Sequence, residues 1–487
     1  MKILLIGNDP KEIGGVANYT RPLATTFAEL GHRVHYLFSG AIQSKYDWPG
    51  RQRLEVRQGP FPFETAEIFN SVCLPFNYGC PEVDVAAPEM ERVIAQYLDR
   101  VGPDVVHIHS RVGLPFSVNR LAFERGIPVL NTIHVYGYLC QKRVMIDREG
   151  GICPGPTDPD RCAACTGALD PALEVRRART RYYKEALRRN CGGLYDLFKA
   201  GKRRAGIGWT PGVSAAQPAP AGLPDPILAQ RLGGRLAAGI AALNDHCDLT
   251  VCVSNDVKQT LMRFGVREER LVVQHIGSLI AERQKVEERP PHEPLVIGNI
   301  GGVNYYKGTH VLLDAVRRVG PGNYLVKIFG RYNENYVAEL LKEYPDLPVE
   351  FTGSYRPADL PEILRQIDVM VLPSVCNDTA PQTIFESFSG GVPIIASAIG
   401  GFPDFVRDGE NGYLFRAGDG AELAERIRTV IGDPGLVRTL RRGIRPLKTI
   451  GDNARELLDL YRELGGGREG VSAEPRTTGR GPGQRRA

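Results

Sequence analysis

The sequence predicts two doubly wound α/β domains that face each other across a cleft. Apolar, strand-like segments alternate with helical ones, the alternation stops at a charged, proline-rich segment, and it then restarts. The chain has 487 residues, which is long for one hydrophobic core. These observations together favour two domains of one class over a single large one.

The first domain is predicted to cover residues 1–280. It opens with the strand "KILLIG", a loop, the helix "VANYTRPLATTFAELG" and the strand "RVHYLF". The later runs "PDVVHIHS", "IPVLNTIH" and "DLTVCVSND" have the nearly continuous apolar character of strands in parallel sheets. An insertion at about 140–226 carries a cysteine cluster and a basic block.

The second half follows a linker, "AERQKVEERPPHEP", at residues 281–294. Its domain is predicted at 295–448, with strands "LVIGNIG", "YLVKIFG", "VEFTGS" and "DVMVLPS" separated by helical segments. Residues 449–465 are expected to form a helix that packs back on the first domain. Residues 466–487 are basic, rich in glycine and poor in apolar side chains, which predicts a disordered tail.

The composition is that of a soluble globular protein, with 42% hydrophobic and 24% charged residues. No apolar run is long enough for a membrane helix, and "MKILLIGND" is too short and too soon polar for a secretory signal. We therefore expect a cytoplasmic protein whose ten cysteines are reduced or metal-bound. A nucleic-acid partner is not expected.

The segment "NDTAPQTIFESFSGGVPIIAS" at residues 377–397 is predicted to be a helix followed by a buried strand. Asp378 or Thr379 is suited to cap the helix, Pro381 to occupy its first position, and the glycine pair at 390–391 to end it. Glu386 lies eight positions after Asp378. The alternative is a helix–strand unit whose Asp and Glu are simply solvated.

Neither half has the GxGxxG dinucleotide fingerprint after its first strand, which argues against a nicotinamide or flavin enzyme. Instead, a glycine pair follows each first strand, at 14–15 and 301–302, where free N–H groups and a helix N-terminus favour an anion. Lys307 precedes the next helix. A tight turn explains the pair at 14–15 equally well. Two such loops and a carboxylate at one cleft fit a nucleotide-diphosphate sugar.

The second half resembles glycosyltransferase family 4, the retaining transferases of the GT-B fold. The resemblance rests on the order of "IGNIGGVNYYKG", "VEFTGSY", "DVMVLPSV", the two acids eight residues apart, "GGVPIIAS" and "IGGFPDFVRDGENGYLF". The first half is similar through "IGGVANY", "DVVHIHS" and "TIH". The resemblance implies the GT-B fold, with the acceptor on the first domain and the nucleotide sugar on the second.

The resemblance also implies roles for individual residues. Lys307 would bind the donor diphosphate, Glu386 the ribose hydroxyls and His134 the donor sugar. The base would lie on the backbone around Gly353–Tyr355, and the glycine pair at 400–401 would give N–H groups to sugar or phosphate. The implied catalytic set is His134, Lys307, Asp378 and Glu386, and the implied donor-binding set is Gly14, Gly15, Gly301, Gly302, Arg331, Gly353, Tyr355, Thr379, Gly400 and Gly401.

Two positions depart from the family pattern. Asp378 stands where the family usually has Glu, and Gly302 stands where it commonly has Arg. Part of the diphosphate charge must then be met elsewhere, and Arg331, just after the strand "KIFG", is predicted to meet it. A catalytically inactive member of the family is the alternative that these departures leave open.

The resulting prediction is a retaining, hexosyl-type glycosyltransferase. It needs no cofactor for catalysis, since a preorganised Lys and helix N-termini stabilise the charge that develops on the leaving diphosphate. A non-catalytic sugar-nucleotide-binding protein and a sugar-nucleotide epimerase are the alternatives, and the fold alone does not separate them.

Four cysteines in the insertion have the spacing C-x12-C-x8-C-x2-C, in a stretch with few apolar residues. A loop without a core of its own is often held by zinc, and C-x2-C is a common half-site. The pattern favours a structural zinc on Cys140, Cys153, Cys162 and Cys165. Unconnected reduced thiols or disulfides are the alternatives.

Residues 176–204 form a basic segment with eleven Lys or Arg against two acids, interleaved with Tyr, Leu and Phe. Such a segment favours an anionic partner or a membrane surface. We expect a protein peripheral to the inner face of the cell membrane, acting on a glycan or a lipid-linked acceptor. The alternative is a solvated arm that closes over a small soluble acceptor.

Overall fold

The computed structural model describes residues 1–12, 14–40, 51–73, 80–147, 151–166 and 225–466, with five isolated positions between 167 and 224. Apart from those five positions, the basic segment lies outside the described residues, as does the tail from 467 onward.

The first half contains an eight-stranded sheet in the order β3-β4-β2-β1-β5-β6-β7-β8. All neighbouring strands are parallel except β3, which runs antiparallel to β4 at the sheet edge. The central strands are buried on both faces, as their apolar runs require. The strands are β1 Lys2–Gly7, β2 Arg33–Ser39, β3 Arg53–Gln58, β4 Glu64–Phe69, β5 Val105–Ile108, β6 Val129–Ile133, β7 Leu249–Cys252 and β8 Leu271–Val273.

Helices cover the faces of this sheet, and two of them begin at side-chain caps. Asp225 accepts hydrogen bonds from the N–H groups of Ile227 and Leu228, and Ser254 accepts one from Val257. Among the described residues, the helices of this half are α1 Gly15–Glu29, α2 Pro88–Val101, α3 Ser117–Phe123, α4 Pro159–Thr166, α5 Pro226–Asp245 and α6 Asn255–Arg263.

The second half contains a six-stranded, fully parallel sheet in the order β11-β10-β9-β12-β13-β14. Its strands are β9 Leu295–Ile300, β10 Tyr324–Phe329, β11 Val349–Gly353, β12 Val369–Leu372, β13 Ile394–Ser397 and β14 Gly412–Phe415. The helices are α7 Thr309–Val319, α8 Glu334–Glu343, α9 Leu360–Arg365, α10 Gln382–Ser389, α11 Phe402–Phe405, α12 Gly420–Gly432, α13 Gly435–Arg442 and α14 Ile450–Gly466. The predicted pair of parallel α/β sheets is therefore present.

In each sheet the strand order reverses at the first strand, so that later strands are added on its other side. In the first sheet β1 lies between β2 and β5, and in the second β9 lies between β10 and β12. The glycine pair at 14–15 follows β1 and the pair at 301–302 follows β9. Ligands of doubly wound sheets bind at such points, outside the carboxyl ends of the strands. Both glycine loops thus stand where a ligand of this architecture is expected.

The last helix, α14, packs against the first domain although it follows the second in the chain. Ile450, Leu457 and Tyr461 are buried in one apolar cluster with Leu23 and Phe27 of α1. The core of the first domain therefore includes apolar side chains of α14.

The helix start predicted at Asp378 or Thr379 is wrong. The helix α10 begins at Gln382, Pro381 precedes it, and no side chain caps it. The reason is that both candidate caps bind elsewhere: Asp378 pairs with Lys307, and the hydroxyl of Thr379 donates to the carbonyl oxygen of His134. The helix α1 begins at Gly15, one residue before its predicted start.

Candidate active site

Lys307 is positioned by a short turn at the carboxyl edge of the second sheet. The side chain of Asn304 accepts a hydrogen bond from the Lys307 N–H at 3.0 Å, which caps the 3-10 turn Tyr305–Lys307. Gly308 ends the turn in the left-handed region, with φ of 73°. The loop therefore holds the backbone of Lys307 while 38% of its side chain stays exposed.

The ammonium of Lys307 forms an ion pair with the carboxylate of Asp378. Burial would lower the pKa of Lys307, but the charge of Asp378 outweighs it, so the pKa is raised and the lysine is cationic. Asp378 thus stabilises the charged form of the lysine.

Glu386 extends from α10 toward the same lysine and is half-buried. Burial raises the pKa of its carboxyl group, and the charge of Lys307 only partly opposes that shift. Tyr355 lies near enough that the Glu386 charge also raises the pKa of the phenol, after burial itself. Among the described residues, no side chain donates a hydrogen bond to the Glu386 carboxylate. This carboxylate is suited to accept hydrogen bonds from the hydroxyls of a ligand.

His134 belongs to the first domain, and its backbone forms a hydrogen bond with the second domain. Its carbonyl oxygen accepts a 2.6 Å hydrogen bond from the hydroxyl of Thr379. Its ring is buried, lies 5.1 Å from that of Tyr19, and is 3.2 Å from His109 between Nε2 and Nδ1. Burial lowers the pKa of His134 to about 3, so the ring is neutral near pH 7. The structure thus brings the predicted sugar-binding histidine to the loop that carries Asp378.

A cluster of buried polar side chains lies behind His134, and sequence reasoning did not find it. His107 bonds the hydroxyl of Thr132 at 2.7 Å and that of Tyr461 on α14 at 2.5 Å. The rings of His107 and His109 have centroids only 3.9 Å apart. The alternating histidines in "HIHS" indicated this cluster of side chains. Nothing in the sequence indicated that α14 contributes Tyr461 to it.

Two of the predicted N–H donors are already used inside the protein, which corrects their assignment. The Gly401 N–H donates to the carbonyl oxygen of Asp378 at 2.8 Å. The Gly301 N–H donates to that of Phe329 at 2.9 Å. The N–H groups of both glycines therefore hold neighbouring chain segments together and are not free for a ligand.

The other predicted donor-side residues lie around the same edge. Arg331 is exposed, and its carbonyl oxygen accepts from the Val303 N–H at 3.1 Å, which places it beside the exposed Gly302. Gly353 has φ of 84° at the end of β11, and a Cβ there would meet nothing within 4 Å. The exposed pair Gly14 and Gly15 is equally open. Packing does not require glycine at 14, 15 or 353. The open space at these positions leaves room for a ligand to approach the backbone.

Gly400 packs closely against the loop that carries Asp378. A larger residue at position 400 should therefore destabilise the protein. Gly400 has φ of 60°, and a Cβ there would collide with the carbonyl oxygen of Asp378. We expect Gly400→Ala to lower the free energy of unfolding by about 3 kcal/mol, since backbone strain and collision add. Gly409→Ala is the matched control, since φ is 72° but nothing lies within 4 Å, and about 1 kcal/mol is expected there. Equal losses in urea unfolding would contradict the role of this contact.

A second polar contact joins the two domains near the site. Asp404 of α11 accepts a 2.8 Å hydrogen bond from the Asn255 N–H and lies 2.9 Å from Nε2 of His275. Burial alone would raise the pKa of Asp404, but these hydrogen bonds lower it. The carboxylate is therefore held in its charged form where the domains meet.

The four clustered cysteines come together but do not form the predicted zinc site. They line one cavity of about 280 Å³ with Met145 and Leu236. Burial and the other three thiols raise the pKa of Cys162 to about 12. Within the described residues, no group of three or more His, Cys, Asp or Glu is arranged to hold a metal ion. The spacing indicated proximity correctly, whereas the thiols do not have the geometry of a metal site.

In the part of the chain that the structure describes, no helix has the length and apolarity to cross a membrane.

Sequence models of known protein families match both halves of the chain. The sequence model of "Glycosyltransferase Family 4" matches residues 13–152, and that of "Glycosyl transferases group 1" matches residues 294–433. The two matches together span more than half of the chain and include both glycine loops, His134, Lys307 and Glu386. The chain belongs to glycosyltransferase family 4.

Curated relatives of this family 4 chain match over part of their length. It is 30% identical to the lipopolysaccharide core biosynthesis glycosyltransferase LpsE of Rhizobium meliloti over 45% of this chain and 64% of the relative. It is 28% identical to the sulfoquinovosyl transferase of Arabidopsis thaliana over 31% of this chain and 29% of the relative. The matched part thus spans less than two thirds of either relative.

Solved structures show the fold of the family 4 chain. Sucrose-phosphate synthase of Thermosynechococcus elongatus superposes with a TM-score of 0.60 at 18% identity, covering 96% of this chain and 99% of that one. HepE of Anabaena in complex with UDP-glucose gives 0.54 at 15% identity, covering 94% and 100%. The predicted GT-B fold is confirmed.

Proposed function

We propose that this chain is a retaining glycosyltransferase that moves a sugar from a nucleotide-diphosphate donor to an acceptor. One observation carries the proposal most directly. The half-buried Glu386 carboxylate has no hydrogen-bond donor among the described side chains, and it faces a cationic lysine at the carboxyl edge of the second sheet. Hydroxyls and a diphosphate from one ligand would satisfy both groups.

The ion pair of Lys307 with Asp378 suggests how donor binding proceeds. The diphosphate would replace Asp378 as the partner of the ammonium, and the released carboxylate would accept a hydrogen bond from the sugar. When the bond between sugar and diphosphate breaks, negative charge develops on the leaving oxygen. A lysine fixed by its backbone cap stabilises that charge without reorganisation. Arg331 is proposed to supply the second positive charge, in place of the arginine that Gly302 replaces.

His134 is proposed to bind the transferred sugar from the side of the first domain. Its ring is neutral, so it offers one N–H donor or one nitrogen acceptor without adding charge. The Thr379 bond fixes its backbone to the loop that carries Asp378. The sugar would then lie between groups of both domains, while the base lies along Gly353–Tyr355.

A uridine diphosphate sugar is the first donor to test, since the HepE structures contain UDP and UDP-glucose. Thermal denaturation with UDP-, GDP- and ADP-sugars distinguishes the nucleotides, because a ligand stabilises the state that it binds. Transfer assays with the stabilising donor then test the activity itself.

The acceptor is proposed to be a glycan, free or lipid-linked, used at the inner face of the membrane. The relationship to a lipopolysaccharide core transferase and the charge of the basic segment support this proposal. Each Lys or Arg near an anionic surface contributes about 1 kcal/mol of attraction, screened by salt. We expect co-sedimentation with anionic vesicles at low salt and release at high salt. Neutral vesicles are the control, and equal sedimentation with both would contradict the membrane proposal.

A further inference from the structure

His109 lies behind His134, and only one nitrogen of its ring has a partner within the described residues. Nδ1 of His109 is 3.2 Å from Nε2 of His134. Nε2 of His109 is buried and forms no hydrogen bond in the part of the chain that the structure describes. A buried polar nitrogen without a partner is costly. A further hydrogen-bonding group is therefore expected beside Nε2.

Arg111 has a second unpartnered nitrogen at the same small cavity. Its Nη1 and Nη2 donate to the carbonyl oxygens of Leu114 and Gly137, but its Nε is buried without an acceptor among the described residues. Arg111 and His109 both line a cavity of about 20 Å³. That volume holds one water molecule and nothing larger. A single water in this cavity would serve both nitrogens.

The chemistry of the two nitrogens determines how such a water is oriented. A guanidinium only donates, so the water accepts from the Nε–H of Arg111. The water then donates one of its own protons to Nε2 of His109. In the reverse arrangement both nitrogens would donate, and both water protons would need other acceptors. The Gly137 carbonyl beside the cavity already accepts from Arg111 and Arg235. The first arrangement is therefore favoured.

The orientation passes on to His134, because both rings are neutral. Burial lowers the pKa of His109 well below its ordinary value and that of His134 to about 3, so each ring carries one N–H. If Nε2 of His109 accepts, Nδ1 of His109 donates to Nε2 of His134. The N–H of His134 is then on its own Nδ1. This nitrogen forms no hydrogen bond within the described residues but is not fully buried, so a ligand can reach it.

We propose that His109, with one water held by Arg111, is a positioning residue that fixes His134 as a hydrogen-bond donor through Nδ1. His134 then donates to an oxygen of the transferred sugar and does not accept from it. A hydroxyl or carboxylate oxygen fits this donor, whereas the ammonium group of an amino sugar does not. The contact with the sugar rests on the proposed function, but the position of the proton on His134 does not.

The test is ¹H–¹⁵N NMR spectroscopy of the full chain labelled with ¹⁵N-histidine, at pH 7 and without ligand. Protonated and unprotonated nitrogens of a neutral imidazole have different ¹⁵N shifts, and His134→Gln identifies the signals of His134. We expect its N–H on Nδ1. His109→Leu should move that proton wholly or partly to Nε2, whereas His109→Asn should keep it on Nδ1, because the amide still donates. The signals of His35, which is bonded to Glu64, are the control and should not change.

The outcomes separate positioning from a purely structural role. A proton on Nε2 of His134 in the wild-type chain would overturn the proposal, and so would a His109→Leu variant with the wild-type tautomer. Should His109→Leu not fold, Arg111→Met replaces it, since it removes the donor that orients the water, and an unchanged tautomer there would again overturn the proposal.

Transfer assays give a second readout. His109→Leu should lower kcat/KM about fivefold, the usual loss for one neutral hydrogen bond, and His109→Asn should restore it. Equal losses in both variants would contradict positioning through a donated hydrogen bond. A wild-type chain with the proton on Nδ1 of His134 but without transferase activity would contradict the proposed function and leave the positioning role of His109 intact.

Discussion

Lys307→Ala and Glu386→Ala are each expected to reduce sugar transfer about 100-fold or more while the protein stays folded. Loss of one preorganised charged contact typically costs about 3 kcal/mol of transition-state stabilisation. Lys307 is 38% exposed and Glu386 has no hydrogen-bond donor among the described side chains, so neither holds the core together. Steady-state transfer rates with the stabilising donor, alongside circular dichroism, measure both parts of this prediction.

The matched control is Asp378→Glu, which keeps the partner of Lys307 and restores the usual residue of the family. It is expected to retain activity. Near-wild-type turnover in both alanine variants would remove the donor-site proposal. A wild-type protein that binds the donor without hydrolysing or transferring it would be a binding protein, and one that interconverts free sugar nucleotides would be an epimerase.

The protein is expected to lose about 5 kcal/mol of stability between pH 7 and pH 5. Burial lowers the pKa of His107 and His134 to about 3 and that of His109 well below its usual value. In the unfolded chain the same rings bind protons near pH 6.5. The native state therefore binds fewer protons, so this stability is present above pH 6.5 and is lost as the pH falls toward 3. Each ring contributes a slope of about 1.4 kcal/mol per pH unit.

Urea unfolding at several pH values measures this slope. The groups around the rings, Tyr19, Thr132 and Tyr461, are uncharged at these pH values, so they do not compensate an added proton. His109→Leu should reduce the slope by about one proton, whatever it does to stability at pH 7. A free energy of unfolding that is flat between pH 7 and pH 5 would show that the rings are protonated without cost.

The elements predicted from the sequence are those whose signal is local. The apolar run of β9 predicts the strand, because burial depends on adjacent residues. The glycine pair after it predicts the open loop where the strand order reverses, because backbone freedom is also a local property. The strand β3 was missed, since "RLEVRQ" is half-exposed at an edge and lacks a continuous apolar run.

The residues that sequence reasoning misjudged act across long separations in the chain. Thr379 fits a helix cap by local rules, but a carbonyl 245 residues away binds its hydroxyl. Gly401 fits an anion-binding N–H, but the Asp378 carbonyl takes it. In each case tertiary contacts outweigh the local preference.

The docking of α14 onto α1 constrains the order in which the polypeptide can fold as it leaves the ribosome. The strands of the first sheet are complete at Val273, but the helix that closes its core begins at Ile450, about 180 residues later. At bacterial and eukaryotic elongation rates this interval lasts on the order of ten to forty seconds. During that time the apolar surface of α1 around Leu23 and Phe27 has no cover from α14. A nascent chain halted before residue 450 would therefore offer this surface to chaperones, and release of the finished chain would withdraw it.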